Sequence, residues 1–123
     1  MKLLTQLLKV CSLHICIEKG TSNGWTYKKF ADGTFEAWGK FTKTFAISTQ
    51  SGQCYFSTSQ NQITPNIGID TIEYAMCGYQ GGEGVLGKIN WIASDGITFA
   101  LFSTISRTSA ARNACLSIKG TYQ

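Results

Sequence analysis

The sequence predicts an all-β fold, an antiparallel β-sandwich preceded by a short N-terminal helix. Three observations predict it. Seven Phe, five Tyr and three Trp lie among Thr and Ser in short alternating runs, and such side chains suit a pleated, half-buried surface. Thirteen glycines against one proline, Pro65, supply tight turns without interrupting strands. Only residues 1–21 carry a helical period.

A chain of 123 residues builds one core and has no room for a second sizeable one. At 43% hydrophobic and 15% charged residues it is too apolar for an intrinsically disordered chain. Ala, Glu, Lys, Leu and Arg do not dominate, which excludes a long helical rod. The formal charge is +4, concentrated in residues 1–43, where seven lysines face Glu18, Asp32 and Glu36. No basic run reaches five residues and two of the eleven cations are Arg, so the charges read as solvated and no nucleic-acid partner is expected.

In the leader, Leu4, Leu8, Cys11 and Ile15 form one helical stripe, and Leu3, Leu7 and Val10 an adjoining one. So broad an apolar face needs a partner, either its own domain or copies of itself. Self-association would run through Leu4, Leu7, Leu8, Cys11 and Ile15. Lys9 and His14 interrupt the stretch, no A-x-A-like cleavage site follows, and it is too short to span a bilayer, so no membrane role is expected. The organisation is a leader of residues 1–21 and a β domain of residues 22–123.

After a hinge at Gly20–Gly24 the period becomes that of strands. Asp32-Gly33 between aromatic runs signals a type I′ hairpin. With those two as the loop, Phe30 faces Phe35, Lys29 faces Glu36 and Tyr27 faces Trp38. Phe35, Ala37, Gly39, Phe41, Phe45 and Ile47 then share the core face, interrupted by Lys43, with Trp25, Tyr27 and Trp38 on the opposite one. Further strands are expected at Cys54–Thr58, Ile69–Cys77, Val85–Ala93, Ile97–Thr104 and Ala114–Tyr122. Asp95-Gly96 repeats the hairpin signal, pairing Ile92 with Phe99 and Trp91 with Ala100. Polar connections fall at Ser59–Asn66, Gly78–Gly84 and Ser106–Asn113, and strands at this spacing read as a sandwich or barrel.

Five cysteines lack any C-x-x-C, and His14 is the one histidine, so the spacing of a zinc site is missing. They read as free thiols buried as small hydrophobes, in a chain that folds in a reducing compartment. No metal or cofactor is expected. Catalysis lacks equipment as well. His14 lies in the leader, Asp32 and Asp95 are explained by turns and Glu36 by its pairing with Lys29. The Gly81–Gly84 loop has no Lys or Ser/Thr in P-loop register.

The run from Gly24 to Gly39, with Trp25, Tyr27, Lys29, Asp32, Gly33, Thr34, Glu36 and Trp38, resembles the opening of C-terminal domains in bacteriophage minor structural and tail-fibre proteins. Phe30 stands where that family often has Trp. In outline the resemblance covers residues 22–122, with Thr64-Pro65 near a strand start and a late strand pair joined by a Ser/Thr-rich loop. It implies a jelly-roll-like knob at the tip of a homotrimeric fibre. Such a knob is a non-enzymatic virion protein assembled in the host bacterial cytoplasm, held by other virion proteins and displayed toward a host cell-surface glycan. A head fibre or decoration protein, a non-viral carbohydrate-binding module and, third, a cell-wall hydrolase are the alternatives. Contact is expected on rigidly held loops: Tyr79, Gln80 and Glu83 on the first, and the forks of Arg107 and Arg112 on the second. The fallback is the face of Trp25, Tyr27 and Trp38.

Overall fold

The computed structural model describes residues 15–123. They form ten strands: β1 (Cys16–Ser22), β2 (Trp25–Phe30), β3 (Thr34–Ile47), β4 (Thr49–Ser51), β5 (Cys54–Phe56), β6 (Gln60–Ile63), β7 (Ile69–Gln80), β8 (Leu86–Ala93), β9 (Gly96–Ser103) and β10 (Arg107–Tyr122). The first sheet runs β1-β2-β3-β10-β7. In the second, β9 is central, with β5 and β6 along one edge, β4 beyond β5, and β8 on the other edge. All pairings are antiparallel and the sheets pack as a sandwich. The all-β sandwich is as expected.

The leader requires correction. Leu4, Leu7, Leu8 and Cys11 lie outside the described residues, and among those described there is no helix. Ile15 is half exposed and its carbonyl accepts the Ala31 N–H at 2.9 Å. From Cys16 onward the chain is strand β1, so the expected hinge is a tight turn. Ser22 pairs with Trp25 around Asn23 (φ 52°) and Gly24 (φ 86°), the two positive values of a type I′ loop. A full ladder of backbone bonds to β2 prevails there over the helical spacing of the side chains.

The next hairpin is displaced by one residue from expectation. Thr26 pairs with Trp38, Tyr27 with Ala37, Lys28 with Glu36 and Lys29 with Phe35. Gly33 N–H donates to Phe30 O at 3.1 Å, and Gly33 alone in this loop has positive φ (87°). The loop is therefore three residues, Ala31 to Gly33, a tight turn closed by a left-handed glycine. Asp32 fixes it by accepting from Thr34 N–H at 3.0 Å and from Thr34 Oγ1 at 2.5 Å. A slip of one residue exchanges faces. Trp25 accordingly turns into the core, fully buried against Phe41 with ring centroids 4.9 Å apart, while Trp38 stays on the outer face, 40% exposed.

Phe35, Ala37, Phe41, Phe45 and Ile47 do face the core, as their parity indicated, and meet Ile97, Phe99 and Leu101 of β9 and Ala114, Leu116 and Ile118 of β10. The second Asp-Gly signal is also displaced: Ala93 pairs with Gly96 around Ser94-Asp95, and a bulge at Asn90 shifts the remainder of β8. The expected Ser59–Asn66 connection contains β6, and the expected Ser106–Asn113 loop is the first half of the 16-residue β10. Among the described residues Cys16, Cys54, Cys77 and Cys115 are free thiols, but none is buried as expected: Cys16 is exposed and the other three are half-buried.

Candidate functional site

The expected contact residues lie where β7 ends, the Gly81–Val85 connection crosses, and β10 begins. β10 alternates, and Arg112 has the parity of Ala114, Leu116 and Ile118. Its side chain therefore points inward and is 4% exposed. A buried guanidinium must satisfy its donors. Arg112 Nη1 donates to Phe45 O at 2.6 Å and to Thr108 O at 2.8 Å. Nε and Nη2 grip the Glu83 carboxylate at 3.2 and 3.0 Å, the paired fork geometry of arginine and carboxylate. Tyr79 completes the arrangement, its hydroxyl donating to Glu83 Oε1 at 2.5 Å. Arg107 Nη2 donates to the Glu83 carbonyl, while Arg107 Nε is buried with no partner among the described residues.

The electrostatics follow from these bonds. Arg112 and Tyr79 both donate to Glu83 and hold its carboxyl down at about 2. Donation to that carboxylate raises the Tyr79 hydroxyl above its ordinary value, and the same carboxylate raises Arg112. Sequence reasoning placed Tyr79, Glu83, Arg107 and Arg112 on two loops. The structure joins them in one clasp across the end of the sandwich. Gln80, next to Tyr79, is exposed and outside it. The signal that reveals the clasp in the sequence is the parity of Arg112 with the core residues of β10.

Chemically, the clasp spends its donors internally: it closes the gap between β3, β10 and the Gly81–Val85 connection. Outward, it presents the rim of Glu83 and the exposed Gln80. Among the described residues no group of three or more His, Cys, Asp or Glu side chains is placed to hold a metal ion.

Of the fallback face of Trp25, Tyr27 and Trp38, only Trp38 stands outward: Trp25 is buried, and Tyr27 pairs with the core residue Ala37 and packs against the core. On the outer face of the first sheet, Thr26, Trp38, Ser117 and Met76 stand in one row across β2, β3, β10 and β7. Lys40, Cys115 and Gly78 form the adjacent row. Small residues beside Trp38 leave a cleft of about 570 Å³, with the side chain of Met76, 62% exposed, as its far wall. On the other side of Trp38 a cleft of about 290 Å³ is bordered by Lys19, Thr21 and Lys28. No family model, curated protein or solved structure matches the chain.

Proposed function

We propose that the chain is a bacteriophage virion structural protein, a jelly-roll-like fibre-tip knob that attaches to a host surface as a homotrimer, by binding and without turnover. The observation that carries this reading is the Gly24–Gly39 run. Its residues divide into those that build a hairpin and those that remain outside. Trp25 anchors the core, with its indole N–H donating to Ile63 O at 2.7 Å, and Asp32, Gly33 and Thr34 form the turn. Glu36 pairs with Lys119 at 3.1 Å, and Trp38 stays at the surface. The chain passes from sheet to sheet in the order β3, β4 to β6, β7, β8 and β9, β10, which supports the jelly-roll-like winding.

The homotrimer is supported by the outer face of the second sheet. Phe56 and Phe102 stack there at 5.6 Å, Leu86 beside them is 60% exposed, and Trp91 further along β8 is 70% exposed. Lys88 stands among them, its Nζ 4.8 Å from the Phe56 ring centroid; exposed apolar side chains rimmed by a cation in this way suit an interface, and in this reading a second and third copy are its occupants. The test incubates a fluorescent fusion of the full chain with a panel of bacterial envelopes and measures its mass in solution. Saturable adsorption to some envelopes by a trimer is expected. A monomer that adsorbs to none overturns the reading.

A further inference from the structure

We infer that the outer face of the first sheet is a glycan-binding site for an anionic saccharide, with Trp38 as its stacking platform and Lys40, Lys28 and Lys19 as its counter-charges. This rests on the attachment reading and gives the attached ligand a chemical class. Three observations carry it. The first is shape. Two clefts, of about 570 and 290 Å³, flank the Trp38 ring, and the larger falls within the size range of small-ligand sites. The ring stands between them as a ridge because its neighbour on β10 is the small Ser117, with Cys115 and Gly78 in the next row beside Lys40. An indole face offers the apolar C–H face of a sugar ring a rigid surface at little entropic cost.

The second observation is charge. Lys40 borders one cleft, Lys19 and Lys28 the other, and among the described residues no carboxylate lines either. Lys28 Nζ lies 5.9 Å from the Trp38 ring centroid, and Lys40 makes no ion pair with a described residue. Glu36, the acid nearest in the rows, faces Lys28 directly across the β2–β3 ladder but is ion-paired to Lys119 at 3.1 Å, on the side away from the Lys40 row. Three ammonium groups spaced around one platform complement carboxylate or phosphate substituents on a glycan. The third observation is what is missing for a nucleic acid: Trp38 is the one aromatic ring lining the larger cleft, whereas single-stranded binders stack successive bases on several rings. Thr26 and Ser117 supply hydroxyls for sugar hydroxyls.

The fold permits a precise test. A Cβ on Gly78 would sit in ordinary contact with Cys115, 3.9 and 4.0 Å from its carbonyl and Cβ. Gly78→Leu therefore fills the cleft from its floor without moving the backbone. Calorimetry on the full chain uses oligogalacturonate for the carboxylate source, poly(glycerol phosphate) for the phosphate source, neutral maltotriose and oligothymidylate. The expected result is that one anionic glycan binds better than maltotriose, Gly78→Leu weakens it by about tenfold or more, and Lys40→Gln weakens it and flattens its salt dependence. Binding by neither anionic glycan, unchanged binding by a Gly78→Leu protein with wild-type melting behaviour, or tighter binding of oligothymidylate overturns the inference. Envelope adsorption by wild type and Gly78→Leu alike removes the cleft and leaves the attachment reading standing. A wild type that adsorbs to no envelope yet binds the glycan through this cleft removes only the attachment reading.

Discussion

Two tryptophans of one hairpin show how a single residue of register decides a side chain's role. Trp25 is fully buried and satisfies the Ile63 carbonyl, whereas Trp38 is exposed between two clefts. Trp25→Phe keeps a ring but loses the donor and some volume, so it should cost about 1–3 kcal/mol in denaturant melts; Trp38→Ala should cost well under that. Equal losses at the two sites would contradict the assigned register. Glu83 gives a pH test at the same scale. Its folded value of about 2 lies below the ordinary 4.5, so its contribution is complete above pH 4.5 and is lost as pH falls toward 2. The wild-type unfolding midpoint should drop through that acid window. Glu83→Gln, which leaves the buried Arg112 without its counter-charge, should be less stable at neutral pH and show a flatter profile between pH 4.5 and 2. An unaltered acid profile would remove the clasp from the stability of the fold.

At the scale of elements, the alternation of the long strand β3 was legible, whereas loop lengths and the strands β1, β4 and β6 were not. The parity of Phe35, Ala37, Phe41, Phe45 and Ile47 identified the core face of β3, because alternation is a property of the strand alone. Asp32-Gly33 was ambiguous because the Asp32 carboxylate captures the Thr34 N–H and hydroxyl, which favours three loop residues over two. The type I′ turn was present one hairpin earlier, at Asn23-Gly24, concealed by helical spacing that extended across Ile15 into β1. The clasp was hidden for a related reason. Ser and Thr around Arg107 suggested a loop, yet β3 continues to Ile47 and offers β10 a partner as far as Arg107. Gly33→Val tests the turn directly. No described residue lies within 4 Å of a Cβ there, so the cost is backbone strain at φ 87°, about 1–2 kcal/mol in a melt with the sheets retained. Wild-type stability in that variant would mean that Gly33 does not require its left-handed conformation.

Across the whole molecule, two sets of hydrogen bonds tie the strands together apart from the ladders. The Asn23-Gly24 turn is tied to β6 and its exit: Asn23 Nδ2 donates to Thr64 O at 2.9 Å, and Thr64 Oγ1 to Ser94 O at 2.7 Å. The Arg112 clasp joins β3, β10 and the Gly81–Val85 connection. With the sheets held by bonds of this kind within the chain, the large exposed apolar side chains of β8 are not needed for the fold, and charge there should act on association alone. Leu86 and Trp91 are exposed on the outer face of the second sheet, where they contribute little to the monomer's own core. Substituting both with lysine should leave the unfolding free energy of the separated chain within about 0.5 kcal/mol of the parent, the usual range for surface changes. Sedimentation should then report a mass near that of one 13.4 kDa chain in place of three. If the doubly substituted protein sediments as the parent does, the second sheet is not the contact between copies in the proposed trimer.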